Sequence, residues 1–242
     1  MTVDTTATFN PDIGEIVEEA YERAGLEMRS GYDLRTARRS LNFLLLDWQN
    51  RGLNLWTVEE FATPISLTKG TATYDIASGT IGLLDVVIRT NAGNVSTQND
   101  FLMSRISQPT YATIPNKLSQ GQPIQYYFDR IEIDDYNASS NRLSTITLWP
   151  VPDETSKYEI RYWRVARMAP IGNAASSTSP VPARFLPCLV AGLAYQIATK
   201  RPEVSDRVPM LKQQYEELFR EAADEDRVKT SARFVPGMTY YS

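Results

Sequence analysis

Apolar residues recur at two different spacings along this chain, and the changes between them divide it into helical ends and an extended middle. Ile13, Ile16, Val17, Ala20, Tyr21 and Ala24 are 3, 1, 3, 1 and 3 positions apart, which places them on one face of a helix. Asn10-Pro11-Asp12 offers a start: Asn10 can cap, and Pro11 suits the first helical position, where its missing N–H costs nothing. Gly25 is a natural stop. The outer face of this helix carries Glu15, Glu18, Glu19 and Glu22. A second helix is predicted over residues 32–51, where Leu34, Ala37, Leu41, Leu44 and Trp48 recur at 3 and 4 positions and Gly52 ends the pattern. Arg35, Arg38 and Arg39 form a basic cluster on its first half.

From residue 56 to about 167 the period becomes two. Phe61, Thr63, Ile65 and Leu67 alternate with polar or small residues. The Thr68-Lys69-Gly70 turn signal comes next, and then Ala72, Tyr74 and Ile76, so the stretch reads as a hairpin. Further strands are predicted over residues 83–89, 124–133, 144–149 and 158–166, with exposed loops at 91–99 and 137–141. Short strands separated by turn signals indicate an antiparallel sandwich or barrel. Residues 168–183 have three prolines and no charge, and read as a linker or an extended surface segment. Helical spacing returns over 183–200. After a break between Pro202 and Pro209 comes a last helix over 208–228, with Leu211, Tyr215, Leu218 and Ala222 on its inner face.

The predicted fold class is therefore α+β. N- and C-terminal helix pairs (10–53 and 183–228) form one helical bundle, because neither pair alone can bury its stripe. An antiparallel β-sandwich or barrel-like module (54–167) is inserted between them, a linker covers 168–182, and a tail covers 229–242. The expected crossing between bundle and module at residues 52–56 is flanked by Trp48 and Trp56, at least one of which should be buried at that boundary.

Composition narrows the chemistry. Hydrophobic residues are 42% and charged residues 22%, which is globular rather than disordered. The net charge is −4 and the pI about 5.1, a poor fit to a protein that grips nucleic acid by neutralising many phosphates. There is no histidine, so Ser–His and Cys–His nucleophile pairs are excluded. With one cysteine, Cys188, neither an internal disulfide nor an ordinary zinc site is expected, and Cys188 reads as a small core residue. No cofactor or metal is expected. The start, MTVDTTATFNPD, is not a signal peptide, and the apolar run 185–199 falls short of the roughly 20 residues a membrane span needs.

Two constellations keep other functions in view. Glu132 and Asp134, two apart, would share one face of a strand and could bind a divalent cation, and with Asp135 could serve a carboxylate-based cell-wall glycosidase or carbohydrate binder, although a solvated strand edge is the plainer reading. Arg161, Trp163, Arg164 and Arg167, with Tyr158 and Tyr162, mix cations and aromatics as a single-strand nucleic-acid surface does, but alternation splits them between two faces. The aromatic residues of the tail must either fold back on the bundle or dock on a partner, since each large apolar side chain gains roughly 1.5–3 kcal/mol on burial.

The stretches LNFLLLDWQNRGLNLWTVEE, PISLTKGTATYDI, IPNKLSQGQPIQYYFDR and ITLWPVPD, and the last helix pair with its RFVPG tail, occur in an order that resembles the head-to-tail adaptor (connector, or tail tubular protein A-like) proteins of short-tailed bacteriophages. The resemblance implies a structural virion protein with no catalysis. It would form a ring, usually dodecameric, between the portal and the tail nozzle, around the DNA exit channel. It implies portal, tail proteins and further copies of the chain as partners, with double-stranded DNA passing without sequence-specific contact and no membrane. Assembly would take place in the host cytoplasm. Carried onto this sequence, it makes Arg233, Phe234, Val235, Pro236, Tyr240 and Tyr241 the portal-docking residues. A closed ring needs two complementary patches on each subunit. Glu15, Glu18, Glu19 and Glu22 on one side, and Arg35, Arg38 and Arg39 on the other, are the candidates.

Overall fold

The computed structural model describes residues 11–52, 55–130, 143–171 and 181–226. The architecture is mixed α+β, and the chain divides into two compact units, residues 1–55 with 170–242, and residues 56–169.

The helical unit contains α1 (Ile13–Ala24), α2 (Gly31–Arg51), α4 (Leu186–Ala198) and α5 (Val208–Glu225), while the short α3 (Gln108–Ala112) belongs to the other unit. All six apolar residues of the α1 stripe are buried. The cap is Asp12, not Asn10. Its Oδ1 accepts from the Glu15 N–H at 2.9 Å while Glu15 Oε2 accepts from the Asp12 N–H at 3.1 Å, a reciprocal pair; Asn10 lies outside the described residues. Gly25 ends α1 with φ +78°, a conformation in which other residues are strained. In α2 the inward position at its start is taken by Asp33 rather than Leu34, because Ser30, the Arg29 N–H and Arg201 supply the carboxylate with partners.

Ten of the thirteen residues of α4 are buried, which makes it the central helix, packed on α1, α2 and α5. Gly192 lets these helices close: a Cβ there would lie 2.8 Å from Leu44 Cδ2 of α2 and 2.8 Å from Tyr215 Cε2 of α5. In the stretch read as a linker or extended surface segment, the described residues are mixed: Ala169, Pro170 and Ala183 are exposed. Met168, Ile171 and Val181 are buried, and the Ile171 N–H donates to Asn42 Oδ1 at 2.8 Å. Residues 172–180 lie outside the described part. Trp48 is fully buried, but among Phe185, Phe219 and Tyr215 of its own unit; Trp56 is half-buried.

The other unit contains β1 (Val58–Glu60), β2 (Ile65–Ser66), β3 (Thr73–Asp75), β4 (Thr80–Thr90), β5 (Asn99–Leu102), β6 (Ser104–Arg105), β7 (Gln125–Asp129), β8 (Thr145–Trp149) and β9 (Tyr158–Ala166). One sheet runs β1-β9-β4-β5, with β2 also on β9, and the other runs β3-β8-β7-β6. The expected hairpin across Thr68-Lys69-Gly70 does not form. β2 pairs with β9 and β3 with β8, so the turn carries the chain from one sheet to the other. Tyr74 anchors that turn, its hydroxyl accepting from the Thr68 N–H at 2.9 Å and donating to the Thr68 carbonyl at 3.1 Å. The pairing is antiparallel apart from β6, which runs parallel to β7. Leu67, Val86, Ile88, Ile146, Leu148, Ile160 and Tyr162, from both sheets, meet in one core.

Among the described residues no helix is long and apolar enough to cross a membrane.

Candidate interaction surfaces

The chemistry of α1 is split by its own geometry. Glu15, Glu18, Glu19 and Glu22 lie on its outer side, but Glu15 is occupied in the capping box and Glu19 pairs with Arg23 one turn on, at 2.8 Å. Glu18 and Glu22 form no ion pair among the described residues. On α2, Arg35 and Arg39 are exposed, whereas Arg38 is half-buried, with its Nε enclosed and without a hydrogen-bond partner among the described residues. None of the three arginines pairs with a carboxylate among the described residues. Lys200, just after α4, donates to Ser40 Oγ of α2. Burial and then the nearby Arg39 charge hold the Lys200 ammonium below its ordinary value. The acidic and basic stripes predicted to pair within or between subunits therefore do not satisfy each other within the described chain.

Beneath these faces the helical unit is fixed by groups that sequence reasoning did not single out. Arg201 donates to Asp33 Oδ1 at 2.6 Å. Burial alone would raise the Asp33 carboxyl, but the Arg29 N–H, the Ser30 hydroxyl and the Arg201 charge outweigh it and hold the group below the usual carboxylate range. Arg51, at the end of α2, grips Glu216 of α5 with both terminal nitrogens, at 2.8 and 3.1 Å, and lies over the Tyr215 and Phe219 rings. The Trp48 indole N–H donates to the Tyr215 hydroxyl at 2.9 Å. Ser30 followed three residues on by Asp33 was the available signal for the first of these. The α2–α5 contacts join residues about 165 positions apart and left no local trace. Cys188 is buried, and burial pushes its thiol up to about 12, as expected of a core residue.

Between α1 and α4 runs a groove of about 530 Å³. Among the described residues Pro11, Ile16, Ala183, Leu186, Pro187 and Val190 line it, with Glu15, Glu19 and Arg23 on the α1 side.

In the β unit the cation–aromatic set of β9 is engaged internally. Arg161 pairs with Glu60 at 3.3 Å. Arg164 reaches Glu59 at 2.7 Å and Thr80 Oγ1 at 2.9 Å, and covers the Phe61 ring, which stacks on Tyr162. Tyr158 and Tyr162 are core residues. Arg161 and Arg164 are thus not free to bind phosphates without breaking ion pairs. Glu132, Asp134 and Asp135 lie outside the described residues, as do Arg233, Phe234, Val235, Pro236, Tyr240 and Tyr241. No cluster of three metal-ligating side chains occurs among the described residues.

A protein-family model described as SU10 adaptor protein matches residues 12–237, spanning both units. No curated protein matches the chain.

Proposed function

The chain belongs to the SU10 adaptor protein family, a family of phage head-to-tail adaptors with a structural role in the virion, and from that premise we propose that it forms a ring between the portal and the tail nozzle, around the DNA exit channel. The family match over residues 12–237 carries this reading. The helical unit would meet the portal and neighbouring copies, and the β unit would face the tail. A dodecamer would have a mass of about 330 kDa, twelve times the 27.3 kDa chain.

The subunit contact is inferred from the charge layout. Glu18 and Glu22 lack ion-pair partners among the described residues, and so do Arg35 and Arg39. A head-to-tail interface that brings the α1 stripe of one copy onto the α2 stripe of the next would satisfy both. The residues 233–236 with Tyr240 and Tyr241 would dock on the portal. A net charge of −4 suits a channel through which DNA slides rather than one that grips it. Assembly in the host cytoplasm and residence at the virion neck complete the reading.

Charge reversal tests the interface. Glu18→Lys with Glu22→Lys, and separately Arg35→Glu with Arg39→Glu, should each abolish ring formation on portal, and mixing the two variants should restore alternating contacts and partial assembly. Rings from either variant alone, of normal yield, would refute this interface.

A further inference from the structure

The α1–α4 groove is a built surface without an assigned occupant. Its volume of about 530 Å³ falls within the roughly 300–1,000 Å³ of ligand-binding pockets. Ile16, Leu186 and Val190 give it an apolar floor, and Glu15 and Glu19 stand on the α1 side.

Two features of the chain indicate what fills it. The described chain leaves α5 at Asp226, whose carboxylate is held by Arg184, with Nε to Oδ1 at 3.0 Å. Arg184 adjoins Ala183, which lines the groove. Beyond Asp226 the sequence continues RVKTSARFVPGMTYYS. This segment carries Arg227, Lys229 and Arg233 and no acid, and then Phe234, Val235, Pro236, Tyr240 and Tyr241. It is apolar where the floor is apolar, and the α1 side of the groove carries two carboxylates, Glu15 and Glu19, against one cation, Arg23, which pairs with Glu19. Eight positions separate Asp226 from Phe234, a reach of at most about 28 Å, and the groove-lining Ala183 is the chain neighbour of the Arg184 that holds Asp226.

We propose that residues 227–242 bind in the α1–α4 groove of their own chain, with the cations toward the α1 carboxylates and the aromatic side chains on Ile16, Leu186 and Val190. Tethering makes this easy. A short link holds its end at an effective concentration on the order of 1 mM, so a site with a Kd of about 0.1 mM is filled about nine-tenths of the time. The groove thereby shields aromatic side chains that would otherwise promote aggregation, and releases them only to a partner that binds them more tightly. This occupancy does not depend on the identity of that partner.

Intrachain disulfide trapping in the full-length protein tests it. Ala183→Cys with Val235→Cys places one thiol in the groove lining and one in the segment. The control is Glu221→Cys with Val235→Cys, on the exposed side of α5 and about 8 Å along the helix from Asp226. Cys188 is buried and does not compete. At low micromolar protein under mild oxidation, the groove pair should close within one chain about tenfold faster than the control. Adding Phe234→Ala, Tyr240→Ala and Tyr241→Ala, which leaves the helical unit untouched, should remove that advantage. Equal rates for the two pairs, a rate unaffected by the three alanines, or a groove disulfide forming only between chains would each overturn the proposal.

Discussion

Replacing Gly192 by Ala should destabilise the helical unit, although the same change in an open helix would stabilise it. The added Cβ would lie 2.8 Å from Leu44 Cδ2, 2.8 Å from Tyr215 Cε2 and 3.0 Å from Tyr215 Cδ2. Carbon–carbon contacts are optimal at about 3.5–4.0 Å, so both neighbours must retreat by roughly 0.5–1 Å. Leu44 can change rotamer. Tyr215 cannot move freely, because its hydroxyl accepts from Trp48 at 2.9 Å, its ring lies under Arg51 and it stacks on Tyr195. Overpacking of this kind costs about 1–3 kcal/mol. The helix propensity gained on replacing glycine offsets about 1 kcal/mol of that. The expected result is a net loss of about 1 kcal/mol, read from urea unfolding monitored by circular dichroism at 222 nm, which reports mainly the helical unit. Leu44→Ala alone should cost about 2–5 kcal/mol by opening a cavity. Because it also removes the clashing methyl, the double variant should lose at least about 0.5 kcal/mol less than the two single losses added together. A more stable Gly192→Ala protein, or strict additivity, would refute the packing argument.

The buried ionisable groups lead to two more expected outcomes. The Asp33 carboxyl is held down in the folded state, so the folded protein binds fewer protons than the unfolded chain near its titration. Its contribution is present above the unfolded value of about 3.9 and is lost as pH falls through the folded value. Asp33→Asn should therefore lower the urea midpoint at pH 7, and the gap to wild type should narrow below about pH 4; a gap constant from pH 7 to pH 3 would contradict this. Cys188, with its thiol raised to about 12, should resist thiol reagents at pH 8 in the native protein and react fully in denaturant, and rapid labelling of the native protein would place it at the surface.

Much of the helical and strand content was legible because burial imposes a period. The α1 stripe was read correctly residue by residue, and the predicted strand over 158–166 coincides with β9. Period two does not say which strand a strand pairs with, and for that reason β2 and β3 read as a hairpin although they lie in different sheets. β5 has all four residues exposed and β6 both, so neither presents an alternation to detect, and β5 starts within the expected loop over 91–99. Asp33 shows the opposite limit. Ser30 three residues earlier marks Asp33 as part of a helix start, but its partner Arg201 is 168 positions away and no local pattern shows it. The acidic and basic residues of α1 and α2 were identifiable by type. That the capping box and Arg23 already occupy Glu15 and Glu19, leaving Glu18 and Glu22, required the geometry.

The central claim is that the chain is a structural adaptor that closes into a ring on the portal. Electron micrographs of the purified protein, alone and with the matching portal, test that most directly. The expected result is rings of this chain seated on portal particles, with a mass near twelve copies and symmetry about the channel axis. Monomers only, in the presence of portal, would contradict it.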